Sequence, residues 1–286
     1  MTYSIFTPTK NEGKYIEQLI KSVISQEILP QEWFIMDDNS TDNTAEIVQK
    51  YLADNSFIKY IKLTNYRTEL VNTGGRVAAI INYADSLRTK DVDIISKIDG
   101  DTSFDPDFFK NIISEFLKDD KLGIASGRLV ENGVPERIKS PITCRGASMI
   151  IRYKCFLEIG KFYESKSRGE DVLATVAARA KGYKTGNFGY YFNHLKPEGI
   201  RKSNLKNQYV TGYYKGSVPY LLPFYFLNVI RDLSKKPYII GAFVQFLAYF
   251  YSRYIKRYRP FPDFVSIQFR LEQKNKLRKL LGFHKK

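Results

Sequence analysis

The feature that most constrains this chain is an alternation. Short apolar, β-branched segments take turns with amphipathic ones, and several apolar segments end in a polar, acidic cluster. Residues 3–7, 33–36, 57–63, 92–98 and 122–126 read as buried strands. Between them the spacing predicts helices over residues 12–26, 42–52, 76–87 and 106–117. In the first, Ile16, Leu19, Ile20, Val23 and Ile24 recur at helical intervals. Asp42, or a neighbouring Ser or Thr, would cap the second, and Asp105 before Pro106 would cap the fourth. Such alternation predicts an α/β fold, an α/β/α sandwich around a mostly parallel mixed sheet. Ligands bind such sheets at the carboxyl ends of the strands. The clusters at 7–12, 37–44 and 99–102 all follow strands, so they should gather on one rim.

The second half is more mixed. Residues 147–151 suit a strand, with a helix behind it through Gly160. Residues 169–181 suit a helix opened by Glu170-Asp171, and 185–192 should be extended. After about Tyr213 the composition changes. Residues 218–230 are apolar but broken by Pro219 and Pro223, and 238–251 are apolar, aromatic and uncharged. The chain is therefore divided into an α/β domain, 1–215, and a basic, aromatic-rich helical segment, 216–286.

Charge narrows the partners. The formal net charge is +15, and most of the excess lies in the tail, where Arg253, Lys256, Arg257, Arg259, Arg270, Lys274, Lys276, Arg278, Lys279, Lys285 and Lys286 face only Asp263 and Glu272. A basic excess calls for an anionic partner: nucleic acid, an anionic membrane or a phosphorylated substrate. The stretch 238–251 is too short for a span of ~20 apolar residues. Lys235 and Lys236 precede it, and Arg253, Lys256 and Arg257 follow, as suits a segment lying on an anionic bilayer. The same pattern suits helices buried against each other or in a homo-oligomer interface. Cys144 and Cys155 indicate no disulfide framework, which fits a reducing cytoplasm. The first residues lack a basic stretch followed by an apolar run, so no signal peptide is expected.

Three clusters could carry chemistry. Asp99-Gly100-Asp101 sets two carboxylates around a glycine at a strand end, where they could share Mg²⁺ or Mn²⁺ with a diphosphate. An Asp-Gly turn explains the same residues. Asp37-Asp38 follows Phe34-Ile35-Met36, and a carboxylate there can accept from a base or ribose. Helix capping accounts for Ser40, Thr41 and Asp42, but not for two adjacent aspartates. In Arg168-Gly169-Glu170-Asp171, acidic groups at a helix start stay ionised, and an open one could deprotonate a hydroxyl. From the sequence chemistry alone, ordinary helix initiation is the favoured reading.

In order along the chain, these motifs resemble the family 2 inverting glycosyltransferases of the GT-A fold. Ser4–Glu12 resembles their opening strand, Phe34–Asp42 their second, and Gly75–Asn82 the helix after their third. Asp99-Gly100-Asp101 matches their DxD motif, and Arg168–Asp171 their acidic acceptor motif. The resemblance implies that Thr7, Pro8, Thr9 and Glu12 line a nucleotide-sugar pocket, with Asp38 on base or ribose and Arg76 nearby. It places Asp99 and Gly100 at the donor and gives the metal to Asp101, with Asp99 and His194 as further ligands. It makes Asp171 the catalytic base and puts Arg145, Gly146 and Glu170 on the acceptor side. The Gln-x-x-Arg-Trp element of processive members is replaced by Gln208-Tyr209-Val210-Thr211-Gly212-Tyr213, which argues against polymer extrusion.

The expected activity is metal-assisted transfer of a hexosyl group from a nucleoside-diphosphate sugar to an acceptor hydroxyl. A lipid-linked or cell-surface glycan precursor, met at the cytoplasmic face of the membrane, is the expected acceptor. A sugar nucleotidyltransferase of related fold is the enzyme alternative, although Lys10-Asn11-Glu12-Gly13-Lys14 is a poor triphosphate loop. A non-catalytic basic adaptor for membrane or nucleic acid would leave the acidic rim unexplained, since carboxylates repel phosphate. Nucleic acid is therefore not expected as a partner.

Overall fold

A computed structural model describes residues 1–70, 75–137, 140–165, 169–196, 205–218, 220–234, 237–257, 259, 261–280 and 282. The expectations resting on Arg168, Pro219, Lys235, Lys236, Lys285 and Lys286 lie outside them. The chain forms two compact units, Met1–Glu164 with Glu170–Pro197, and Ser165–Gly169 with Glu198–Lys286. Residue 215, where the sequence reading divides the chain, falls inside a helix of the second unit.

In chain order the first unit contains β1 (Tyr3–Thr9), α1 (Ile16–Ile24), β2 (Glu32–Asp37), α2 (Thr44–Leu52), β3 (Ile58–Lys62), α3 (Gly75–Ser86), β4 (Ile94–Ile98), β5 (Thr102–Phe104), α4 (Phe108–Lys118), β6 (Leu122–Glu131), β7 (Val134–Pro135), β8 (Ser148–Arg152), α5 (Tyr153–Glu158), α6 (Glu170–Ala180) and β9 (Lys184–His194). The strands form one sheet in the order β3-β2-β1-β4-β8-β6-β9-β5, with β7 beside β6. The β3-β2-β1-β4 half is parallel throughout. Beyond it the sheet is mixed: β8 runs antiparallel to β4 and β6, while β9 runs parallel to β6.

The alternation of side chains along each strand builds two faces. Tyr3 and Ile5 of β1, with Trp33 and Ile35 of β2, join α1 and α4 in one core cluster. There Tyr3 stacks on Phe109, ring centroids 4.8 Å apart, and Ile16, Leu19, Ile20 and Val23 are fully buried. Phe6 and Phe34, one residue out of phase, are buried outside that cluster. Ala78, Ala79, Ile80 and Ile81 of α3 and Leu173, Ala174, Val176 and Ala177 of α6 are likewise buried outside it.

Two helix starts differ from expectation. α4 begins at Phe108, with Asp107 at the cap position and no side-chain cap bond. Asp105 does not cap it: its carbonyl accepts from the Phe108 N–H and the Gln26 amide, because residues 102–104 are drawn into β5. α2 starts at Thr44, and Asp42 does serve it, accepting the Thr44 N–H at 3.1 Å.

The second unit holds α7 (Leu205–Ser217), α8 (Leu222–Asp232), α9 (Tyr238–Phe250), a π-helical stretch (Tyr251–Lys256) and α10 (Asp263–Leu280). Pro223 does not break α8. It sits in the first turn, where a missing N–H costs nothing. α7 and α9 approach closely because Gly212 and Gly216 face backbone oxygens of Gln245 and Tyr249; a Cβ at either glycine would collide with them. Tyr225 stacks on Tyr249 at 3.8 Å and donates to the Gln245 carbonyl at 2.9 Å. Outward, Ile239, Ile240, Phe243 and Leu247 of α9 and Ile230 of α8 are exposed. No helix among the described residues is long and apolar enough to cross a membrane.

Candidate active site

The rim forms at the carboxyl ends of β1, β2 and β4, as the alternation requires. At the end of β2, Asp37 is fully buried. Its carboxylate accepts the Ser40 N–H at 2.7 Å and the Tyr60 hydroxyl. Asn39, in the left-handed region at φ 59°, turns the chain so that Ser40 can reach back. Asp38 faces the other way. It pairs with the buried Arg76 guanidinium, and Lys10 stands 3.7 Å from it. Arg76 also donates to the Tyr66 and Arg67 carbonyls and lies over the Tyr66 ring. The sequence placed Asp38 and Arg76 at the nucleotide separately; the structure joins them as an ion pair.

β1 contributes less open surface than its sequence suggested. Thr7 is fully buried and accepts the Trp33 indole N–H at 2.9 Å. Thr9 is buried as well, and only Pro8 of the three is partly accessible. Thr7 and Thr9 therefore support the rim from within the sheet. A Cβ at Gly100 would lie 3.0 Å from the Thr9 methyl and 3.2 Å from Glu12 Cγ, so the glycine lets the β4 turn pack against the first loop.

The β4 end is more crowded with charge. The Asp-Gly turn is present: the Thr102 hydroxyl donates to the Asp99 carbonyl at 2.7 Å. Beyond it, β5 pairs Thr102 with His194 of β9. This register brings His194 Nε2 to 3.4 Å from Asp101 Oδ2. Desolvation raises the Asp101 carboxyl, with His194 opposing and the Asp99 charge reinforcing the shift. Glu12 is raised too, first by burial; Lys196, 3.0 Å away, opposes, while Asp101 and Asp99 add to it. Glu12 Oε2 and His194 Nδ1 are buried with no hydrogen-bond partner among the described residues.

Can these residues hold a divalent cation? Among the described residues no three of His, Cys, Asp and Glu converge as a ready cage. Asp101 and His194 do converge, beside an unpartnered Glu12 oxygen. Mg²⁺ bound with phosphates needs only one or two protein carboxylates. The donor set therefore fits a cation shared with a diphosphate, not one enclosed by protein.

The residues expected on the acceptor side lie next to this end. α6 opens with Glu170 and Asp171 after Gly169, whose φ of 96° favours glycine. A Cβ at Gly146 would sit 2.8 Å from Asp171 Oδ2, so the bare backbone of residue 146 forms the seat of that carboxylate. Burial, and then the Asp171 charge, push Glu170 up to about 7, with Lys97 opposing. Arg145 points its guanidinium at Glu136, while its N–H donates to the Ser126 hydroxyl at 2.9 Å.

Lys97 is a buried charge at this site that sequence reasoning passed over. It is buried in β4, and its ammonium donates to the Gly146 carbonyl at 2.7 Å and pairs with Asp99 at 2.6 Å. Burial alone would lower its pKa; the Asp99, Glu170 and Asp171 charges outweigh that and raise it. The signal was a single cation inside the otherwise uncharged run Ile94-Ile95-Ser96-Lys97-Ile98.

A half-parallel sheet with acidic turns on its carboxyl rim defines the GT-A class of nucleotide-binding folds. Residues 4–172 match the family model "Glycosyl transferase family 2", and the chain belongs to that family. It is 28% identical over 151 residues to the chondroitin synthase of Pasteurella multocida (strain Pm70), covering 49% of this chain and 14% of the synthase. It is 26% identical over 193 residues to the poly-β-1,6-N-acetyl-D-glucosamine synthase of Staphylococcus epidermidis, covering 68% of this chain and 42% of the synthase. The match thus spans less than half of either synthase. Among solved structures, S. aureus TarS 1-349 in complex with UDP-GlcNAc superposes with a TM-score of 0.53 at 21% identity, covering 88% of this chain and 73% of TarS. The mannosyltransferase PcManGT from Pyrobaculum calidifontis, with GDP-Man and Mn²⁺, superposes with a TM-score of 0.57 at 17% identity, covering 99% and 81%. At these identities the two structures support the fold.

Proposed function

We propose that the chain is an inverting hexosyltransferase that takes its sugar from a nucleoside-diphosphate donor. One observation carries the reading. The donor-side turn of β4 and the seat of Asp171 are a single hydrogen-bonded block: the Asp99 N–H donates to the Ala147 carbonyl at 3.1 Å, and Lys97 donates to Gly146. A donor held at Asp99–Asp101 would thus present its anomeric carbon near a carboxylate able to act as base.

In this reading Asp171 takes the proton of the acceptor hydroxyl as that oxygen bonds to the anomeric carbon. The bond from that carbon to the diphosphate breaks on the opposite face, which inverts the configuration. Asp38 and Arg76 hold the nucleoside end, and Glu170, Arg145 and Gly146 shape the acceptor side. Mg²⁺ or Mn²⁺, held by Asp101 with Asp99 and His194, would neutralise charge on the diphosphate. The TarS complex with UDP-GlcNAc and the PcManGT complex with GDP-Man and Mn²⁺ support a metal-assisted nucleotide-sugar donor without choosing its base.

The second unit supports a location. Ile239, Ile240, Phe243 and Leu247 expose an apolar face too short to span a bilayer, and Arg253, Lys256 and Arg257 follow it. This suits attachment to an anionic leaflet at the cytoplasmic side, with a lipid-linked or surface glycan precursor as acceptor. Replacing Ile240 and Phe243 by Asp should abolish flotation with phosphatidylglycerol-containing vesicles. Retained flotation, or a dimer that this double substitution dissociates, rejects the bilayer assignment.

The direct test of the transferase is nucleoside diphosphate release from UDP-GlcNAc, UDP-glucose and GDP-mannose with Mn²⁺ or Mg²⁺. The expected result is metal-dependent release from one donor. Pyrophosphate release from a nucleoside triphosphate and a sugar phosphate would instead favour a nucleotidyltransferase.

A further inference from the structure

Burying a lysine ammonium in the middle of a sheet is costly unless its three N–H groups find partners. In β4 every neighbour of Lys97 is apolar except Ser96, so packing alone does not call for a cation here. Its partners are specific. One bond goes to the Asp99 carboxylate at the end of β4, and another goes to the Gly146 carbonyl in the loop before β8, against which Asp171 of α6 packs. That loop is further tied down by the Asp99 N–H on the Ala147 carbonyl and by the Arg145 N–H on the Ser126 hydroxyl. Gly146 then receives Asp171 at a distance that admits no side chain.

We propose that Lys97 is a positioning residue: it locks the Asp99 carboxylate to the Gly146 seat, so that the donor and the base Asp171 are held in one fixed geometry. This rests on the transferase reading above and adds a role that the motifs do not supply. Lys97 touches no reacting atom. It acts through Asp99 on one side and through Gly146 on the other. Fixing two reacting partners is worth much in rate, because displacement by about 1 Å can cost about 100-fold. The arrangement also keeps three carboxylates around one cation, where without it Asp99, Glu170 and Asp171 would repel one another.

Three variants test this on the donor that the panel identifies. Lys97→Met keeps the length and removes the cation; transfer should fall by about 100-fold in kcat. Gly146→Ala leaves Lys97 in place and pushes Asp171 off its seat. It should lower kcat by about 10- to 100-fold with donor KM within about threefold of wild type. The double variant should be no more than about threefold worse than the poorer single one, because both act through the same seat. Lys97→Arg should recover at least about tenfold over Lys97→Met by restoring the charge. A purely structural lysine would lower Tm and leave the kcat of the folded fraction unchanged; that result overturns the proposal. So does a double variant whose loss is the product of the two single losses. Should Lys97→Met fail to fold, Lys97→Gln, which also removes the cation, and its double with Gly146→Ala give the same cycle. A wild type that transfers, with Asp171→Asn inactive and folded Lys97→Met fully active, sinks this inference alone. A wild type inactive with every donor sinks the transferase reading instead.

Discussion

The two aspartate pairs on the rim look alike in sequence and differ in how the protein satisfies them. At the end of β2, Asp37 is closed off by Tyr60 and Ser40, and Asp38 is matched by Arg76. At the end of β4, Asp101 has His194 Nε2 3.4 Å away, and two buried polar atoms nearby lack partners among the described residues. A carboxylate whose bonds are already made is part of the scaffold. One that is desolvated and under-satisfied is waiting for a ligand, since burying it so costs free energy. On the proposed function, the β2 pair would shape the nucleoside end of the site, while Asp101 at the β4 end would receive a cation shared with the diphosphate.

Substitutions can break this contrast, and the largest effect should come from the residue that the β4 block seats. Asp171→Asn should lower kcat by about 10²- to 10⁴-fold with nucleoside diphosphate affinity nearly unchanged. Initial rates and calorimetric titration read the two quantities. Turnover comparable to wild type would remove Asp171 as the base. At the β2 end the loss should be chiefly one of stability. Asp38→Ala leaves the buried Arg76 cation unmatched and should cost about 3 kcal/mol in a urea melt. The same change at Asp101 should cost little or stabilise, because a desolvated carboxylate is removed. If Asp101→Ala were the more destabilised of the two, the contrast would be wrong.

A smaller effect is expected from pH. The folded-state pKa of Glu170 lies above its unfolded value, so folding favours its protonated form. That contribution is complete below the unfolded pKa and is lost as pH rises to about 7. Glu170→Gln should therefore lose less Tm than wild type between about pH 5 and 8. Parallel Tm-versus-pH curves would show that the Glu170 shift is absent.

Much of this contrast was legible in the residues, but unevenly. Strand–helix alternation placed β1 to β4 and their helices because buried parallel strands are continuous apolar runs. It also placed the clusters on one rim, since that depends only on strand direction. Satisfaction was not legible. Asp38 and Arg76 are far apart in sequence, and only the packing of α3 against β1 and β2 brings them together. Thr7 reads like a pocket residue, yet strand phase turns it toward Trp33. β5 and β7 are too short for any periodicity, and the β9 end that brings His194 to Asp101 depends on pairing with β5. Lys97 was overlooked because a lone lysine in a strand looks like noise until its two partners are seen.

Calorimetric titration of UDP and GDP, with and without Mn²⁺, into wild type, Asp101→Asn and Asp38→Asn compares the two rim ends directly. Mn²⁺ should tighten binding of one nucleotide to wild type by at least about tenfold. Asp38→Asn should bind more weakly but keep this metal dependence, and Asp101→Asn should lose it. Metal dependence that survives in Asp101→Asn and disappears in Asp38→Asn would contradict the assignment of the β4 end.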